Sequence, residues 1–464
     1  MRDFVAVILA AGEGTRMKSN TPKVLHKVCG VPMLAHVVRA AKDAGASKVI
    51  AVVGKGAEEV KQYFQDTDIE FVLQERQLGT GHALLQARGA AEGISLLVVL
   101  CGDMPLITGE SIRAMVKYHI DHNADATVMT AEMDDPTGYG RILRDEEKVI
   151  GIREEKDASD EEKRIREINS GCYCFDTKLV FEALTEIKND NVQKEYYLTD
   201  VVEILNNKMK SVVAYVIPDA VQISGINDRE QLAFAQKAMQ QRIIRKHMKQ
   251  GVTFIDPANV MVDYDVTIGR DTVIYPGTFL EGNTSIGEGC TIIGGRIKNS
   301  KIGDHVEIVM SQIQESFVDS EVKIGPYANL RPGCHISVGA KIGDFVELKN
   351  TTLGEGSKVP HLSYVGDARI GKKVNIGAGV IFVNYDGYNK YQTVVEDRAF
   401  IGCNSNLIAP VTIRKDSFVA AGSTITKEVP EDSLAIARSK QENKPGWVSK
   451  RRKKFEGGKD SDAK

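Results

Sequence analysis

Three stretches of the chain bring together residue types that could do chemistry. The first is Leu9-Ala10-Ala11-Gly12-Glu13-Gly14-Thr15-Arg16-Met17, with Pro22-Lys23 shortly after. Glycines let backbone N–H groups approach phosphate oxygens, while Arg16 and Lys23 bring positive charge to a pyrophosphate. No G-x-G-x-x-G and no G-K-[ST] occurs there, so the loop is neither a dinucleotide fingerprint nor a Walker loop. The second stretch, Gly102-Asp103, places a carboxylate directly after an apolar run, where a plain turn or helix cap is the competing reading. In the third, Val359-Pro360-His361-Leu362-Ser363-Tyr364, an imidazole able to take a proton near neutral pH interrupts a regular pattern. Arg331 and Lys349, eighteen positions apart, would suit one phosphate monoester if brought side by side.

Such residues need elements to hold them. Over residues 1–226, β-rich apolar runs (Val5–Ala10, Lys48–Val53, Leu96–Leu100, Ala126–Ala131) alternate with helical stretches such as Met33–Ala44 and Gly109–His119. The alternation predicts an α/β, Rossmann-like domain with a mostly parallel sheet, whose ligands gather at the carboxyl ends of strands. Both Leu9–Met17 and Cys101–Pro105 fall there. Residues 227–250 predict one linking helix, opened by Asn227 and Glu230 as a capping box and closed at Gly251. Cys172 and Cys174 are read on opposite faces of one strand and given no chemistry.

Beyond the helix an apolar residue returns every five or six positions, from Ile268, Ile274 and Leu280 through Leu330, Ile336, Ile342 and Leu348 to Ile376 and Phe382. Neither a helix period of 3.6 nor a strand period of 2 produces that series. A coil of three flat faces does, with one inward aliphatic per face and a glycine or small residue at the corner, and it predicts a parallel β-helix of about eight or nine coils over 251–437. On an eighteen-residue coil, Arg331 and Lys349 stack on neighbouring turns. Val383–Val395 is polar, aromatic and out of register, an excursion loop of the kind that carries function on rigid scaffolds. The series resumes at Ile401 and closes at Ile425. Residues 438–464 form a tail whose Lys450-Arg451-Arg452-Lys453-Lys454 run is read first as a solvated, disordered end, and second as a contact for a neighbouring subunit's ligand.

The totals narrow the class. With 60 Lys plus Arg against 63 Asp plus Glu, the net charge of −3 supplies no global field for nucleic acid or anionic lipid. Seven scattered cysteines without a C-x-x-C pair indicate neither a disulfide framework nor structural zinc, and His305, His335 and His361 share no coil-related spacing, so zinc between subunits is not expected. The run at residues 4–11 is too short to span a bilayer, so a cytoplasmic protein without membrane insertion is expected.

The set L-x-x-G-x-G-T-R-M with P-K, continued by Gln74, Gln77-Leu-Gly79-Thr80-Gly81-His82-Ala83, Gly102-Asp103, Gly138-Tyr139-Gly140-Arg141, Glu154 with Lys156, Asn169 and Asn227, resembles the sugar-nucleotide pyrophosphorylases. Together with the repeats, nearly the whole chain is similar to the bacterial bifunctional N-acetylglucosamine-1-phosphate uridylyltransferase/glucosamine-1-phosphate N-acetyltransferase family. That resemblance implies a left-handed β-helix, a homotrimer, and two reactions for the cell envelope. Glucosamine 1-phosphate is acetylated from acetyl-CoA, and the product N-acetylglucosamine 1-phosphate then reacts with UTP to give UDP-N-acetylglucosamine and pyrophosphate.

The resemblance also implies roles. Leu9, Ala10, Ala11 and Gly12, with Gln74, Gly79 and Thr80, would hold the uridine nucleotide; Gly140, Glu154 and Asn169 the acetylated sugar; Asp103 and Asn227 a Mg²⁺ ion; and Arg16 and Lys23 the transferring phosphates. In the β-helix His361 would be the base, Arg331, Lys349, Tyr364 and Asn375 the sugar-phosphate ligands, and Ala378, Asn384, Tyr385, Cys403, Ala421 and Arg438 the acetyl-CoA site. Cys403 departs from the serine common there, which puts any hydroxyl role in doubt. The competing reading is a single-function sugar-1-phosphate nucleotidyltransferase whose β-helix is only a trimerisation scaffold.

Overall fold

The structure, a computed structural model, describes residues 3–146 and 148–456. They pack into two units. One contains the chain up to Lys249 together with Met261–Val266, the other Gln250–Val260 and the chain from Thr267 onward.

In the first unit the strand Phe4–Ala10 is apolar on both sides: Phe4, Ala6 and Ile8 enter one core, Val5 and Val7 the other. Burial on both faces is what a central parallel strand requires. It pairs in parallel with Lys48–Val53 and with Leu96–Cys101, Leu9 lying opposite Cys101, so the carboxyl ends of the two strands that precede the glycine-rich loop and Asp103 are adjacent. The sheet runs Val212–Val216, Ala126–Glu132, Glu167–Asp176, Leu96–Cys101, Phe4–Ala10, Lys48–Val53, Glu70–Leu73. Glu167–Asp176 is antiparallel to both neighbours and carries the hairpin Arg141–Asp145/Lys148–Arg153. Cys172 and Cys174 both enter one core, while Tyr173 and Phe175 enter the other. Residues two apart on a strand share a face, so the expectation of opposite faces is wrong.

The long helix spans Arg229–Lys249. Its cap is one residue later than expected: Asp228 accepts the Gln231 N–H at 2.9 Å, and Gln231 Oε1 accepts the Asn227 N–H at 2.7 Å. Asn227 is thereby released from capping. The helix packs within the first unit, burying Met239 and Ile243, while the Arg242 guanidinium donates to the Leu106 carbonyl at 2.5 Å.

The second unit is a parallel coil. Two of its faces register as one nineteen-stranded sheet because Thr291–Lys298 and Glu307–Gln314 run round a corner, and the third face has nine strands, in line with eight or nine coils. Each rung sets an aliphatic on the one below: Ile274 on Ile292, Ile292 on Ile308, Leu330 on Leu348, Leu348 on Val365, Leu407 on Ile425. Corner glycines stack on corner glycines; a Cβ at Gly287 would lie 2.5 Å from the Gly303 backbone. Elsewhere a buried serine takes the corner and satisfies the backbone. Ser300 Oγ donates to Lys298 O at 2.8 Å and accepts the Ser316 N–H at 3.2 Å.

The excursion is shorter than the sequence suggests. Thr393–Val395 rejoins the third face between Ala368–Ile370 and Val411–Ile413, leaving the loop between Val383 and Thr393. In the tail, Trp447–Glu456 is helical, with Arg451 over the rings of Trp447 and Phe455, which overturns the reading of a disordered end for Lys450–Lys454. Residues 457–464 of the expected tail lie outside the described residues.

Candidate active sites

In the first unit the strand Phe4–Ala10 delivers Leu9 to Gly12 at its carboxyl end. Gly14 has φ +65, and a Cβ there would lie 2.6 Å from Lys23 Cβ, so glycine is what lets the loop close over Lys23. Arg16 is exposed on the short turn Thr15–Met17. Across the sheet, the Gly102 N–H donates to Leu9 O at 2.9 Å and the Ile226 N–H to Asp103 O at 3.0 Å. These backbone bonds draw 23, 103 and 227 together: Lys23 Nζ is 2.5 Å from Asp103 Oδ2 and 2.7 Å from Asn227 Oδ1. One carboxylate and one amide oxygen thus converge on a single cation position. The donor set suits Mg²⁺, which takes oxygen ligands and retains waters.

Gln74 is buried, and its amide donates to Gly79 O at 3.1 Å and meets His82 Nδ1 at 2.9 Å. Thr80 Oγ1 accepts the Leu198 N–H at 3.0 Å, and a Cβ at Gly79 would strike the Tyr196 backbone. Gln74, Gly79 and Thr80 are therefore one rigid wall. At the other end of the site the Asn169 N–H donates to Gly140 O at 2.8 Å, Asn169 Nδ2 donates to the Tyr173 hydroxyl at 2.8 Å, and Glu154 Oε1 lies 3.6 Å from where a Gly140 Cβ would stand. The turn carrying Gly140 is anchored by Arg141, whose buried guanidinium reaches the Tyr139 carbonyl and pairs with Glu155 at 2.7 Å. Burial pushes the Glu154 carboxyl up, as do the carboxylates of Asp157 and Asp200. A cavity of about 230 Å³ opens here, lined by Glu154, Asp157, Tyr197, Thr199 and Asp200.

In the second unit the rung register places Arg331 and Lys349 on adjacent coils, the Arg331 N–H donating to Leu348 O at 2.9 Å. Arg331 pairs with Glu347 at 2.9 Å, and Lys349 with Asp367 at 3.3 Å. Asp367 organises the cluster. It also accepts from Asn350 Nδ2 at 2.8 Å and from Asn384 Nδ2 at 2.5 Å, and Asn384 reaches the Tyr364 hydroxyl at 3.5 Å. These partners hold its carboxyl below the usual range although burial pushes the other way. Lys390, from the excursion loop, is pushed below its ordinary value by the Lys349 ammonium beside it. The sequence reading missed Lys390, Asp367 and Glu347.

His361 and Tyr364 flank the corner residue Leu362, and His361 Nδ1 lies 2.5 Å from Asp344 Oδ1, another residue the sequence reading missed. Asn375 pairs with Lys358 and Phe400 on the next rungs. Ala378, Cys403 and Ala421 form a column, the Asn404 N–H donating to Ala378 O and the Gly422 N–H to Cys403 O, both at 2.8 Å, with Arg438 Cδ against Gly422 above them. The Cys403 side chain is exposed. Tyr385 is exposed in the excursion loop and donates to Gly387 O at 2.5 Å.

An α/β unit with a glycine-rich loop and a converging Lys, Asp and Asn, followed by a hexapeptide coil bearing stacked cations and a histidine, defines a two-part transferase. The MobA-like NTP transferase domain matches residues 6–167, and the hexapeptide repeat of succinyl-transferase matches residues 392–427. Relatives named bifunctional protein GlmU span the chain: one of Alkaliphilus metalliredigens is 53% identical over 449 residues, covering 96% of this chain and 98% of its own length. Those of a Geobacillus species and of Listeria welshimeri are 53% and 52% identical over 450 residues, covering 96% of this chain and 97% and 98% of their own lengths. The chain belongs to the family of bifunctional GlmU proteins. It is an enzyme with uridylyltransferase and acetyltransferase activities, using UTP and acetyl-CoA in cell-wall precursor synthesis, and the scaffold-only reading is not favoured.

Proposed function

We propose that the two activities are carried by the residues grouped above, the convergence of Lys23, Asp103 and Asn227 supporting uridylyl transfer most directly. A phosphate oxygen of N-acetylglucosamine 1-phosphate attacks the α-phosphorus of UTP in line, and pyrophosphate leaves. Such a reaction needs positioning and neutralisation of phosphate charge more than covalent help. Leu9 to Gly12 with Gln74, Gly79 and Thr80 hold the nucleotide, Gly140, Glu154 and Asn169 the sugar, and Arg16 and Lys23 the charge that builds on the departing group. Asp103 and Asn227 would hold Mg²⁺, which when bound supplies further neutralisation of the phosphates.

In the coil, Arg331 and Lys349 hold the phosphate of glucosamine 1-phosphate, joined by Lys390, while Tyr364 and Asn375 orient the sugar. His361 takes the proton as the amine attacks the thioester. Ala378, Asn384, Tyr385, Cys403, Ala421 and Arg438 line the acetyl-CoA site, Cys403 acting through its small size and backbone. The working form is a cytoplasmic homotrimer, a reading supported by the flat coil faces. Among the described residues no helix is long and apolar enough to cross a membrane. A product assay with glucosamine 1-phosphate, acetyl-CoA, UTP and Mg²⁺, omitting each in turn, tests the scheme. UDP-N-acetylglucosamine formed at full rate without Mg²⁺ would remove the metal role, and a monomer in sedimentation would remove the trimer.

A further inference from the structure

Strands Lys341–Asp344 and Lys358–His361 pair in parallel on neighbouring coils, with Asp344 opposite His361. Asp344 Oδ1 lies 2.5 Å from His361 Nδ1. Gly343 permits the approach, since a Cβ there would overlap the Pro360 carbonyl. The imidazole beside Asp344 holds its carboxyl below the usual carboxylate range. On the strands flanking His361 the other titratable side chains are Lys341 and Lys358, three residues back along each strand; the strand on the far side, Asn375–Ile376, has none.

A carboxylate can only accept, and a neutral imidazole has one N–H and one lone pair. A hydrogen bond from Nδ1 to Asp344 therefore keeps the proton on Nδ1 and leaves the lone pair on Nε2. We infer that Asp344 is a positioning residue for acetyl transfer: it fixes the His361 ring and tautomer so that Nε2 can accept the proton, and it stabilises the imidazolium that results. The inference rests on the reading of His361 as the base. In the step, the C–N bond forms from the amine to the acetyl carbon and the C–S bond breaks. The proton lost by nitrogen passes to Nε2 and from there to the departing thiolate, returning the pair to its starting state.

Full-length Asp344→Ala, Asp344→Asn and His361→Ala test it, with acetyl transfer from acetyl-CoA to glucosamine 1-phosphate measured across pH, and uridylyl transfer and melting temperature measured alongside. Asp344→Ala lowers kcat about tenfold, leaves KM for glucosamine 1-phosphate within about twofold and leaves uridylyl transfer unchanged. Asp344→Asn recovers most of kcat, because an amide oxygen still accepts from Nδ1. A wild-type kcat in Asp344→Ala overturns the inference. A loss of kcat that Asp344→Asn does not recover, with the melting temperature lowered in both variants, also overturns it, since a mere staple between coils would do that. Acetyl transfer surviving in His361→Ala would overturn the base assignment itself, a separate result.

Discussion

The Lys23 ammonium bridges Asp103 and Asn227, at 2.5 and 2.7 Å, although these lie 80 and 204 positions along the chain from it. Removing the ammonium leaves a carboxylate that is only about a quarter exposed without its cation. Lys23→Ala is expected to lower uridylyl transfer at least about a hundredfold, the scale seen when one preorganised electrostatic group is lost. Acetyl transfer by the same preparation stays at the wild-type rate, and coupled assays of the two reactions check both arms.

Neighbouring residues 227 and 228 separate chemistry from stability. Asn227→Ala removes an oxygen from the cation position and should lower uridylyl transfer about tenfold or more with little change in melting. Asp228→Ala removes the helix cap and should cost about 1 kcal/mol in denaturant unfolding of the first unit while activity persists. The reverse pattern would restore Asn227 to the cap.

Burial, with help from Glu203, pushes the Asp200 carboxyl up to about 6 from its ordinary 3.8. The folded chain then binds more protons than the unfolded chain between those values, so stability falls as pH rises from about 4 to about 6. Asp200→Asn is expected to raise the melting temperature above pH 6 and to change it little below pH 4. Melting curves at pH 4 and pH 8 decide; equal shifts at both would contradict the sign.

Phe382 is fully buried on the rung that leads into the excursion loop. Phe382→Ala should cost about 3–5 kcal/mol, from lost burial and the cavity left behind. On heating, acetyl transfer should fail earlier than in the wild type while uridylyl transfer keeps its own profile, which timed inactivation of the two activities would show.

What could be read from the sequence follows from which interactions are local. The coil was legible because its rungs repeat one inward aliphatic: Leu330 and Leu348 are neighbours in space because they are one coil apart in the chain. The glycine-rich loop after the first strand was legible because glycine, arginine and the Pro-Lys pair stand close together. Asp344 and Asp367 were not, since each is an ordinary polar residue in the repeat whose meaning comes from the coil above it. Lys390 was missed because an irregular loop has no period to say where its side chains return. The cap of the long helix was placed one residue early because Asn227 and Asp228 are both good caps, and only the distant Lys23 shows which of them is otherwise engaged.

Ile376 rests on Ile401, 25 positions on, in the same way that Ile401 rests on Val419 only 18 on. The ladder is thus indifferent to how much chain is extruded between two rungs. Natural selection can lengthen, shorten or rewrite the segment after Val383 without renegotiating a single packed layer beneath. Loop and ladder can therefore vary independently of each other.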